Sequence, residues 1–184
     1  KKFDNEIINK LKNADYILIS IPPINGEEII LKNFKDKIRK METCKWITYL
    51  SATSVYGNHE GKWVNEKSET KPSSPNGKNR LKAERSWLDL AINSNLPLQI
   101  FRLSGIYSNE FNILKKLKLG NAQIVGKQNH FFSRIHLDDI TNILFKSLKK
   151  FKKNEIYNIS DDRPASQQEV ASYGSKLLKI KLPK

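Results

Sequence analysis

The chain alternates short, continuous apolar runs with longer stretches in which apolar residues recur every three or four positions. Tyr16-Ile17-Leu18-Ile19-Ser20-Ile21, closed by Pro22-Pro23, is a run of strand length, the pattern of a strand buried on both faces of a parallel sheet. Trp46-Ile47-Thr48-Tyr49-Leu50 repeats it and runs into Ser51-Ala52-Thr53-Ser54. A third run, 96–103, ends at Ser104-Gly105, and a fourth lies at 155–159. Between them, helical spacing predicts helices at roughly 4–13 (opened by Asp4), 27–41, 79–94, 109–119, 137–150 and 166–179 (begun by Ser166). Short strands are expected at 122–125 and 131–135. Residues 57–79, with Gly57, Gly61, Pro72, Pro75 and Gly77, read as a long loop, and a loop of that length in a compact domain usually carries function.

Strands alternating with helices of 10–15 residues indicate βαβ units, hence an α/β fold with a doubly wound parallel sheet. At 184 residues the chain suits one domain. It begins at Lys1 rather than Met and stops in Lys181-Leu182-Pro183-Lys184. A parallel sheet with so few strong strands is small for this architecture, so the chain reads as a fragment.

Charge and cysteine content narrow the classes. The net charge of +14 invites a nucleic-acid partner, but the basic residues are 27 Lys to 6 Arg, and base readout favours the Arg fork. The 18 Asn beside that Lys content match what an AT-rich genome writes into any protein. The densest basic run, Lys149, Lys150, Lys152 and Lys153, falls at an expected helix end, where cations complement the helix dipole. Nucleic acid is therefore disfavoured as a partner. No apolar run reaches the roughly 20 residues of a membrane span, and no signal peptide opens the chain, so no membrane partner is expected. The single Cys44 excludes an internal disulfide and makes a reducing, cytoplasmic setting the default. Three scattered histidines and one cysteine are too few for a zinc site, and no metal is expected.

Five stretches then carry a resemblance. Y-L-S-A-T-S-V-Y-G (49–57), S-P-N-G-K-N-R-L-K-A-E (74–84), F-R-L-S-G-I-Y (101–107), F-S-R-I-H-L-D-D-I (132–140) and Y-N-I-S-D-D-R-P (157–164) occur in one order. Together they resemble the extended short-chain dehydrogenase/reductases, the group of NAD-dependent nucleotide-sugar epimerases and dehydratases. Ile21-Pro22-Pro23 after the first strand is similar to an atypical subgroup. The resemblance implies a partial Rossmann-like sheet that holds NAD or NADP, with residues 1–105 as the later half of the cofactor domain. Residues 106–184 would be a small substrate-side region whose strand at 155–159 returns to the sheet. The family's G-x-G-x-x-G phosphate loop has no counterpart here, which implies a missing N-terminal segment. A helix-pair homodimer is common among such proteins.

Residue by residue, the family's catalytic set is replaced. Its Ser/Thr position falls on Ala52, its Tyr on Asn76 and its Lys on Arg80. Asn cannot shuttle a proton near neutral pH, and 57–95 contain no tyrosine, so the usual Tyr-x-x-x-Lys transfer is disfavoured. The remaining catalytic candidates are Thr53, Ser54 and Arg80. The resemblance implies cofactor contacts from Ser20, Ile21, Pro22, Ser51, Arg80, Leu103, Ser104 and Gly105, and a substrate side built from Tyr56, His59, Arg134 and His136. Against these stand plainer roles. Tyr56 packs beneath the loop, a lone loop His59 is solvated, Asp138 or Asp139 steadies a helix N-terminus, and Arg102 or Arg134 pairs with a carboxylate rather than a phosphate. Asp161-Asp162 before Pro164 reads as a turn. The expected function is an NAD(P)-binding oxidoreductase or epimerase acting on a small molecule of sugar-nucleotide type. A non-catalytic dinucleotide-sensing or protein-interaction member of the same fold is the alternative, and a basic nucleic-acid-associated protein comes third.

Overall fold

The computed structural model describes residues 5–124 and 130–182. Its centre is a four-stranded parallel sheet in the order β1 (Tyr16–Ile19), β2 (Trp46–Ala52), β3 (Leu98–Leu103) and β7 (Glu155–Ile159). Register pairs Ile19 with Tyr49, Ala52 with Leu103, and Arg102 with Asn158. Helix α1 (Asn5–Lys12) precedes β1, α2 (Ile29–Ile38) joins β1 to β2, and α3 (Pro75–Asn93) joins β2 to β3. Beyond β3 the chain forms β4 (Gly105–Tyr107), α4 (Ile113–Lys118), β5 (Phe131–Phe132), β6 (Arg134–His136) and α5 (Leu137–Ser147) before β7. Two further elements close it, β8 (Ala165–Ser166) and α6 (Gln167–Leu178). Strands β4 and β6 make a small parallel pair, β5 and β8 an antiparallel one.

Period-two alternation divides the sheet's side chains between two faces. Ile19, Ile47, Tyr49, Leu98 and Ile100 form one core with Leu31, Ile38, Ala83, Trp87 and Leu90 of α2 and α3. Phe101, Leu103 and Ile159 form the other with Ile135 and Ile140, backed by Ile143 and Leu144. That second face stays open at β1, where Tyr16 is 53% and Leu18 47% exposed. The expectation of a first strand buried on both faces therefore holds for one face only. β1 is at the sheet edge, and no described helix covers Tyr16 and Leu18.

The long loop is shorter than its composition suggests. Helix α3 starts at Pro75, because Ser74 accepts the Gly77 N–H at 3.1 Å as N-cap and Pro75 occupies the first turn. The start of α3 packs against the 3-10 turn Thr53–Val55, so closely that a Cβ on Gly77 would stand 2.6 Å from the Ser54 carbonyl. Residues 122–124 are irregular rather than a strand. Val125 and Asp4, the expected cap of α1, lie outside the described residues.

Candidate functional site

Because all four strands of the main sheet are parallel, their carboxyl ends share one edge, where α/β sheets receive ligands. Ser20, Ile21 and Pro22 follow β1 and are exposed; Ser51 and Ala52 end β2; Leu103 ends β3, with Ser104 and Gly105 after it. Thr53 and Ser54 stand in the 3-10 turn beyond β2, half-buried and exposed respectively. The Ser104 N–H continues the ladder to the Ile159 carbonyl at 3.0 Å, and Gly105 donates to Ser133 at 3.1 Å. The side-chain hydroxyls of Ser51 and Ser104 are buried with no hydrogen-bond partner among the described residues. The ends of β2 and β3 thus each hold a buried hydroxyl left unsatisfied by the described residues.

Beside this edge lies a network in which every charge is matched. Glu84, 1% exposed on α3, receives Arg102 Nη2 at 2.7 Å and Nε at 3.1 Å. Arg102 Nη1 donates to the Tyr56 hydroxyl at 2.9 Å, and that hydroxyl donates to Asn158 Oδ1 at 2.7 Å. The guanidinium also lies over the Tyr56 ring, 4.8 Å from its centroid. Tyr56 is therefore buried and engaged, and Arg102 is held by a carboxylate. Arg80 turns inward too: its Nη1 donates to the Leu50 carbonyl at 2.6 Å and lies 3.5 Å from the Tyr49 hydroxyl. Burial pushes the Tyr49 phenol up to about 12, with the Arg80 charge acting the other way. Asn76 is exposed in the first turn of α3. His59 sits half-buried on the loop, its Nε2 3.1 Å from the Glu69 carbonyl and its ring edge-on to Tyr56.

A cleft of about 410 Å³ opens next to Gly105, between β4, α4, β6 and α6. Its walls offer aromatic faces (Tyr107, Phe111, Phe132), amides (Asn112, Asn121, Gln123) and the cations Lys116 and Arg134, with no carboxylate among the lining residues. Lys116 Nζ lies over the Phe111 ring at 4.6 Å. Arg134 Nη1 donates to the carbonyls of Phe132 and Ala165, which fixes it in the wall. His136 is the N-cap of α5: its Nδ1 accepts from the Asp138 N–H at 3.2 Å, while its ring packs edge-on to Tyr107. Asp138 and Asp139 occupy the first turn of α5, where acidic side chains favour the dipole. The structure thus brings Arg134 and Gly105 into one cavity and keeps Tyr56 and Arg80 out of it. The cleft residues missed in the sequence, such as Lys116, Asn121 and Gln123, share no local spacing, because they come from separate segments.

No family model matches the chain, and no curated protein sequence does either. Solved structures do. A functionally unknown conserved protein from Silicibacter pomeroyi matches with 36% identity and a TM-score of 0.87, covering 94% of this chain and 61% of that one. UDP-glucuronic acid 4-epimerase from Bacillus cereus, in complex with UDP-glucuronic acid and NAD, matches with 18% identity and a TM-score of 0.80, over 98% of this chain and 65% of that one. dTDP-glucose 4,6-dehydratase from Bacillus anthracis, in complex with NAD, shares 18% identity at a TM-score of 0.76, over 96% and 61% of the two chains. The chain thus spans a little over three-fifths of the length of these neighbours. Its four-stranded parallel sheet, with helices packed against it, has the Rossmann-like fold of these neighbours.

Proposed function

We propose that this chain supplies the strand-end side of an NAD(P) site in an extended short-chain dehydrogenase/reductase, and that an anionic substrate of sugar-nucleotide type enters the cleft beside Gly105. The observation that carries this reading is the pair of buried, unpartnered hydroxyls of Ser51 and Ser104 at adjacent strand ends. An orphaned buried hydroxyl costs about 1–3 kcal/mol, a cost that a polar ligand atom in the crevice relieves. The NAD in the epimerase and dehydratase neighbours supports the choice of ligand. When bound, a nicotinamide dinucleotide supplies hydride chemistry.

In this reading, residues 1–105 form the cofactor side and 106–184 the substrate side. Ser20, Ile21 and Pro22 line one wall of the crevice, and Leu103, Ser104 and Gly105 the other. Thr53 and Ser54 offer hydroxyls that orient a substrate oxygen. Lys116 and the aromatic walls of the cleft receive a phosphate and a planar ring. A second reading, a dinucleotide sensor without turnover, is favoured by one observation. Arg80 is committed to the Leu50 carbonyl while Asn76 stands where a tyrosine would move the proton.

The test uses the full-length protein titrated with NADH and NADPH, following nicotinamide fluorescence, for the wild type and Ser104→Ala. Removing an orphaned hydroxyl leaves the unliganded fold as stable as before or up to about 1 kcal/mol more stable, and weakens dinucleotide binding by about five-fold. Binding with turnover of a sugar nucleotide supports the enzyme; binding without turnover selects the sensor. Absence of dinucleotide binding removes both.

A further inference from the structure

We propose that Glu66 is a positioning residue that straps the 57–74 loop across the ends of β3 and β7; its effect on a ligand rests on the dinucleotide reading above. The loop starts at Gly57, just past the 3-10 turn that follows β2. Its Glu66 carboxylate accepts the Asn158 backbone N–H at 2.8 Å, two strands away in the sheet order β2, β3, β7. That is a reach of roughly 10 Å at the usual strand spacing. The loop then returns to its root, where the Lys71 N–H donates to the Tyr56 carbonyl at 3.2 Å. The path therefore crosses the strand ends.

Hydrogen bonds carry much of the hold on this strap, because no residue from 57 to 74 is buried, although His59 also packs edge-on to Tyr56. Glu66 is presented by a tight turn in which the Asn65 N–H donates to Ser68 Oγ at 2.9 Å, Ser68 donates back to the Asn65 carbonyl at 3.0 Å, and Asn65 Oδ1 accepts from Lys67 at 3.0 Å. Its target is equally well placed. β7 is last in the sheet, so the Asn158 N–H lies on an open edge, where an unpaired amide seeks an acceptor. Asn158 is held at two points, by Glu66, midway along the strap, on its backbone and by Tyr56, at the loop's root, on its side chain. At the root, Gly57 adopts φ +72°, and a Cβ there would fall 2.1 Å from the Lys71 carbonyl, so strand end and returning loop approach as closely as backbone allows. Trp63, 78% exposed, rides on the strap three residues before Glu66.

The experiment compares full-length wild type, Glu66→Ala and Glu66→Gln by trypsin cleavage within the loop at Lys62 and Lys67, by NADH titration and by thermal melting. Gln keeps the accepting oxygen and Ala removes it. The Ala variant is expected to be cut about five-fold faster and to bind NADH about five-fold more weakly, the effect of one lost hydrogen bond, with its melting temperature within a few degrees of wild type. The Gln variant is expected to stay close to wild type in all three. The proposal falls if the Ala variant is cut no faster, if its NADH affinity is unchanged while wild type binds, or if Gln behaves like Ala. If wild type binds no NADH and the Ala variant is still cut faster while Gln is not, the strap stands and the dinucleotide reading fails.

Discussion

Two groups of charged side chains, close together in the fold, are treated in opposite ways. Around Arg102 every nitrogen has an acceptor: Glu84 takes two, Tyr56 takes the third, and the Tyr56 hydroxyl donates in turn to Asn158. Glu84, Arg102 and Tyr56 are buried, and Asn158 is half-buried. In the cleft beside β4, Lys116 lies over an aromatic face, Arg134 donates to backbone carbonyls with the Glu169 carboxylate near enough to feel its charge, and no carboxylate stands among the described lining residues. The contrast teaches that a net charge of +14 says little until each cation is located. A buried arginine with its carboxylate belongs to the frame. An uncompensated cation in an open, amide-lined cleft is available to an anion.

The comparison breaks most visibly at Glu84. Glu84→Ala strands Arg102 in the core, and removing one partner of a buried ion pair costs about 3–5 kcal/mol; urea denaturation of the variant measures it. Replacing both Glu84 and Arg102 by apolar residues of similar volume is expected to cost clearly less than Glu84→Ala alone. Equal losses in the single and double variants would show that the pair is not what holds α3 to β3. At the cleft the pattern inverts. Lys116→Ala is expected to leave the melting temperature within about a degree or two, as surface substitutions usually do, and to weaken a bound nucleotide diphosphate roughly ten-fold, read by calorimetric titration. A variant that loses stability but not affinity would move Lys116 from the open group to the frame.

The smallest effect is in the alkaline range. An unfolded tyrosine ionises near 10, whereas burial holds the Tyr49 proton to about 12. Between those values the unfolded chain releases a proton that the native one keeps, so stability falls as pH rises from 10 towards 12. Tyr49→Phe is expected to flatten that part of the pH–stability curve. It should cost little at neutral pH, because the Arg80 contact to the hydroxyl is long at 3.5 Å. An alkaline limb identical in Tyr49→Phe would assign the loss to another group.

How much of this was legible beforehand depended on whether the signal was local. The runs at 46–50 and 155–159 became β2 and β7 with little or no change of boundary, because continuous apolar strands and their turns are written in neighbouring residues. Helix α3 starts about a turn before the residue its apolar spacing predicts, because Ser74-Pro75 caps it within a stretch whose Gly and Pro content otherwise reads as loop. The apolar run at 16–21 predicted burial on both faces, and composition could not say that β1 lies at an edge with Tyr16 and Leu18 exposed. At the site, the family resemblance singled out Ala52, Asn76 and Arg80, but only geometry directs the Arg80 guanidinium to the Leu50 carbonyl.

The sequence by itself determined the alternation of strands and helices, and with it a parallel sheet whose carboxyl ends share one edge. It also determined which residue types stand there, since identity and local period need no partner from elsewhere in the chain. Tertiary structure alone decided which of those residues meet. Glu84 finds Arg102 across 18 positions and Glu66 finds Asn158 across 92, while the cleft draws its walls from five separate stretches between Gly105 and Val170. Such pairings arise from the packing of whole elements against one another, and no short window of sequence contains both partners.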